Sequence, residues 1–164
     1  MQLEELFRGF GLSVFMAEFI TLFLVLLVIS IIFWLAVGRF KLHSALCNIY
    51  LSFALVQVLP AQMMEFGKNI PALAFLILLV ALTLLGKFTF DIHLSGSGLS
   101  YWKVFLMSFL EVGAIFSILI GFISDKELLR YISKDALFYF SSPWAKFAWL
   151  ALPLLFLIYI NKSE

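Results

Sequence analysis

Apolar residues in this chain run in long uninterrupted blocks, and polar residues gather in short clusters between them. The blocks fall at about 19–37, 44–59, 71–86, 104–121 and 145–160, the first without a single charge. Crossing about 30 Å of hydrocarbon takes about 20 residues of helix. The pattern therefore predicts an all-α, polytopic transmembrane bundle of five spans in one membrane domain covering the whole chain. The block at 44–59 is short unless residues 40–43 join it, and 145–160 is the weakest of the five. The first block reads as a retained span, not a cleaved leader. Its flank is net acidic (Glu4, Glu5, Arg8, Glu18), and its apolar run exceeds the 7–15 residues of a signal core.

The stretches between the blocks carry their own signals. Over 2–17, Leu3, Leu6, Phe7, Phe10 and Val14 share one helical face, which predicts an interfacial helix. The other reading is a first span that starts early, near Leu12. Gly38-Arg39-Phe40-Lys41-Leu42-His43 makes a tight basic turn, so the first two spans form a hairpin. Pro60 closes the second span, and Pro71 stands where a first-turn proline is tolerated. Residues 61–70 and 91–98 read as loops, the latter rich in glycine and serine. Ser124-Asp125-Lys126-Glu127 has the spacing of a capping box, which predicts a second amphipathic helix over about 125–140. Tyr101, Trp102, Trp144 and Trp149 fall at predicted span ends, as interfacial aromatics do.

Composition sharpens this picture. Apolar residues make up 64% of the 164, and charged ones only 13%. A soluble domain of this size buries too little surface to hide that much hydrocarbon. Cys47 is the only cysteine, which excludes a disulfide scaffold. Five spans divide the cations six to five between the two sides, too evenly for the positive-inside rule. The basic first turn sets two of them beside helix ends, which favours a cytoplasmic turn.

Few residues offer chemistry. Glu111 lies near the middle of the fourth block, about 3 Å along the axis from its midpoint at 1.5 Å per residue. A charge at that depth costs several kcal/mol, and intramembrane ionisable groups point by default to function. Ser108 lies one turn earlier on the same face. Glu111 reads either as a proton or cation site, or as a protonated acid hydrogen-bonded to the second span. Ser44, Asn48 and Ser52 form a polar stripe on that span, with Gln57 beyond, and the stripe suits interhelical hydrogen bonding better than a pore lining. Gly113, Ser117 and Gly121 form a small-xxx-small stripe on the opposite face of the fourth span, a pattern that lets two helix backbones touch. No nucleophile–base set, phosphate loop or metal-ligand spacing appears, so neither an enzyme nor a cofactor or metal is expected. Singly scattered basic residues give no support for nucleic-acid binding.

The basic hairpin Gly38-Arg39-Phe40-Lys41, the loop Leu94-Ser95-Gly96-Ser97-Gly98-Leu99 and the small-residue stretch from Ser108 to Gly121 resemble, in layout, the colicin V production protein family. The likeness spans about residues 14–135. It implies an accessory protein of the bacterial inner membrane, linked to toxin export or envelope upkeep, without catalytic residues. That family carries an arginine–glycine pair in its fourth span, where this chain has Glu111-Val112-Gly113, and it usually stops at four spans. The expected role is a non-enzymatic scaffold or accessory subunit. Its partners are the lipid bilayer and other membrane proteins or copies of itself. The alternative is a small transporter or channel component that uses Glu111.

Overall fold

The computed structural model describes residues 14–38, 41–60, 67, 69–89, 100–123, 125–129 and 134–162. Every element among them is a helix: α1 (Val14–Val37), α2 (Leu42–Gln57), α3 (Ile70–Thr89), α4 (Tyr101–Phe122), α5 (Asp125–Leu128), α6 (Lys134–Ser141) and α7 (Pro143–Lys162). All five apolar blocks are thus helical. Three helices, however, are long and apolar enough by themselves to cross a bilayer: α1 over Ile20–Val37, α4 and α7. α2 is a shorter apolar helix, about 24 Å long at 1.5 Å per residue against roughly 30 Å of hydrocarbon, and α3, 20 residues long, is apolar over its described side chains, Ile70–Leu85. Among the described residues, three helices are thus long and apolar enough to cross, where five spans were expected.

Local chemistry sets these lengths. Gly38 ends α1 in the left-handed region (φ 76°), where side-chain-bearing residues are strained. Its N–H returns to the Trp34 carbonyl at 2.9 Å, a left-handed C-cap. α2 stops because the Val58 and Leu59 N–H groups close tight bonds to the Leu55 and Val56 carbonyls, both at 3.2 Å. Pro60, which follows at once, has no N–H to carry the helix on. α7 gains length at its start. Ser142 Oγ accepts the Ala145 N–H at 3.3 Å, and Pro143 takes the first helical position, so the block expected to be weakest is among the three of full length.

α4 is the hub, touched by α1, α2, α3, α6 and α7. Phe23 meets Phe109 while Phe33 and Trp34 pack near Val104 and Met107, so α1 runs antiparallel to α4. Trp102 meets Phe156 and Phe109 meets Trp149, so α7 also runs antiparallel to it. Leu42 and Leu46 pack with Val104 and Met107, and Val56 with Ile118, so α2 runs parallel to α4. Away from α4 the outer faces are apolar and open: Leu24, Ile32 and Leu35 of α1, Ile77 and Leu84 of α3, and Leu155 and Ile158 of α7 are each more than half exposed. Contiguous hydrocarbon on that scale is a lipid-facing surface.

The amphipathic segment expected over 125–140 is not one helix. It comprises the single turn α5, a turn at Leu129 and the separate helix α6. Leu128, Leu137 and Phe140 are all buried in one cluster with Leu26, Val112 and Ile120. At 100° per residue, a continuous helix would set Leu128 and Leu137 on opposite faces, and the break lets both reach the same core. The last residues of the expected 2–17 helix, from Val14, belong to α1, and residues 1–13 lie outside the described residues. So do Arg39 and Phe40 of the basic turn, Ser124 of the capping box, and the loop at 91–98.

Candidate intramembrane site

The α2–α4 seam is apolar at both ends and polar in the middle. Val104, Met107, Ile115 and Ile118 recur on one face of α4, and Leu42, Leu46, Ile49 and Val56 answer them on α2. Glu111 falls on that face between the two apolar groups, with Ser108 one turn before it. On α2, Asn48 and Ser52 flank Ile49 at the matching level. Glu111, Ser108 and Ser52 have no exposed surface, and Asn48 is buried. α4 spans Tyr101–Phe122, so Glu111 sits within about 1 Å of its midpoint along the axis, closer than the block boundaries implied.

Neither carboxyl oxygen of Glu111 has a hydrogen-bond partner among the described residues, and the same holds for Ser108 Oγ and Ser52 Oγ. The expected hydrogen bonds between Glu111 and the second span are therefore not formed. Buried polar atoms are nearly always paired, and each orphan calls for an explanation. Here several collect on one seam. Gln57, by contrast, lies exposed at the last position of α2 and does not join them.

Two further polar side chains are engaged inside the bundle. Ser30 of α1 is fully buried and donates to its own Leu26 carbonyl at 2.7 Å. As an isolated hydroxyl in an apolar run it carried a faint sequence signal. Tyr50 carried none: it stands within electrostatic reach of Glu111, and its hydroxyl donates to the Leu150 carbonyl of α7. Pro153, buried three residues further on, removes the donor that would reach the Trp149 carbonyl, next to the one Tyr50 meets. Neighbouring side chains commonly satisfy backbone groups near prolines in membrane helices.

The small-residue stripe serves a different contact from the one expected. A methyl carbon built on Gly113 falls inside the van der Waals shell of the Trp149 indole, so a ring, not a helix backbone, fills the notch. Ser117 Oγ donates to the Phe140 carbonyl of α6 at 3.1 Å. Gly121 is exposed and lies under the Lys146 side chain, whose Nζ stands 3.3 Å from an ideal Cβ. The indole of Trp149 stacks on Phe140 with centroids 5.3 Å apart and planes at 9°. It also meets Phe109 at 6.1 Å, and its Nε1 donates to the Tyr139 carbonyl at 3.3 Å. Trp149 is thus an intrachain wedge and not an interfacial aromatic, whereas Tyr101, Trp102 and Trp144 are exposed at the starts of α4 and α7.

Among the described residues no three His, Cys, Asp or Glu side chains gather closely enough to hold a metal ion. One acid flanked by hydroxyls and an amide can bind and release a proton, or accept hydrogen bonds. Comparison with protein-family models, with curated proteins and with solved structures finds no match to this chain.

Proposed function

We propose that the chain is a non-enzymatic, five-span membrane protein that acts as a small transporter or channel component, with Glu111 as its intramembrane proton or cation site. The observation that carries this reading is the complete burial of Glu111 with both oxygens unpartnered among the described residues. An acid kept at mid-membrane without stabilising hydrogen bonds is a cost that packing alone does not explain. Five crossings are supported by helix direction: α1 and α7 run against α4 and α2 runs with it, so the chain returns between α2 and α4, where α3 lies. α3 meets α2 through Phe75, Phe53 and Val56, and short spans are accommodated by local bilayer thinning. The likeness to the colicin V production family favours a bacterial inner membrane.

The competing reading is a scaffold that assembles through the small-residue stripe. It is weakened because α6 and α7 of the same chain already cover Gly113 and Ser117. Flux separates the two. Purified protein in liposomes carrying an imposed proton, sodium or potassium gradient should dissipate one of them. Glu111→Gln should abolish that flux while the detergent elution profile stays unchanged. Wild-type-like flux from the Gln variant would return Glu111 to a structural role.

A further inference from the structure

The ligand of the Glu111 site follows from the oxygens around it, given that the site binds an ion at all, as proposed above. We infer that it takes up and releases a proton and does not hold an alkali-metal cation. A dehydrated cation needs its whole water shell replaced by oxygens. The seam offers two from Glu111, one hydroxyl each from Ser108 and Ser52, and the Asn48 amide oxygen. Number alone would serve sodium, but the Glu111, Ser108 and Ser52 oxygens make no hydrogen bonds with one another and so are not gathered into a closed cage; transporters complete such cages with carbonyls from unwound helices. Here α2 and α4 run as continuous helices through this depth, so their carbonyls are engaged in their own ladders.

A proton makes no such demand. One new O–H bond on a single Glu111 oxygen cancels the whole charge. Hydroxyl groups suit both states of that acid, since each donates to a carboxylate and accepts from a carboxylic acid. Ser108 and Ser52 are hydroxyls of this kind, placed on the seam and otherwise unengaged among the described residues.

Among the described side chains of α4 and of α1, α2, α3, α6 and α7 packed against it, Glu111 is the one carboxyl. The described side chains of α1 and α3 include no ionisable group, and α2 contributes Tyr50, with Cys47 and His43 further toward its start. On α4 itself Tyr101 and Lys103 lie in the first turn. α6 and α7 bring Lys134, Tyr139, Lys146, Tyr159 and Lys162. Tyr50 is the group within electrostatic reach of the acid.

The test is the infrared carbonyl band of a protonated carboxylic acid, recorded on the full chain in lipid vesicles as buffer pH is lowered. The wild-type minus Glu111→Gln difference should show one such band. Its midpoint should not move when sodium or potassium chloride replaces choline chloride. If Glu111→Gln does not fold, the shifted band frequency of Glu111→Asp makes the same assignment. A midpoint that falls as sodium or potassium is added, or a band that does not titrate, overturns the inference. A titrating band in a protein whose Gln variant conducts like wild type upholds proton exchange and removes the transport reading instead.

Discussion

A single methyl group added at Gly113 should unseat the wedge that holds α7 to α4. In the folded chain the Trp149 ring occupies the place where that methyl would sit, so Gly113→Ala forces the indole out. Displacement forfeits the stack on Phe140 and the contact with Phe109, at about 1 kcal/mol each. It also breaks the Nε1 bond to the Tyr139 carbonyl, at about 1 kcal/mol. Against this stands the better helix propensity of alanine, at most about 1 kcal/mol. The net expectation is a loss of about 2 kcal/mol. Gly121→Ala meets only the movable end of Lys146 and should be neutral or slightly stabilising. The small-residue motif treats the two glycines alike, so the contrast between them reads the tertiary contact. Reversible unfolding in mixed micelles, followed by circular dichroism, measures both variants. A Trp149→Ala background should erase most of the Gly113→Ala penalty, because the two changes share one contact. Equal effects of the two glycine substitutions, or strict additivity with Trp149→Ala, would refute the wedge.

Replacing Glu111 with Leu removes a buried, unpartnered acid from the seam and should raise the unfolding free energy by about 1–3 kcal/mol, since an unsatisfied buried polar group costs that much. A loss of stability on the same assay would show that the carboxyl is a structural hydrogen-bonding group after all. Five crossings require Lys41 and Val58, at opposite ends of α2, to face opposite sides of the membrane. Single cysteines at these positions, in a Cys47→Ser background, should label with an impermeant maleimide from opposite sides, and labelling from one side would reduce the number of crossings.

The primary sequence settled the solvent and the element type. Blocks of hydrocarbon without charge leave backbone groups no partner but each other, and only a helix satisfies them within one segment. Glu111 was legible for the same reason, as an ionisable group surrounded by apolar positions. The polar stripe was legible only in part. Asn48 and Ser52 follow helical periodicity onto the seam, but Gln57, still within α2, stands about 180° around the helix from Asn48 and so faces away.

What the folded chain decided is which partner each surface meets. Gly113, Ser117 and Gly121 advertise close approach, yet a small residue is only a notch, and the pattern does not name its occupant. The occupant proved to be Trp149, brought there by the antiparallel return of α7. Likewise Leu128 and Leu137 lie on opposite faces of any single helix, and burying both required a break that no local signal dictated. Periodicity and hydropathy are local quantities, set by neighbours three or four residues away. Contacts between helices depend on how far each one slides and turns against the others, and that is fixed by all the side chains together.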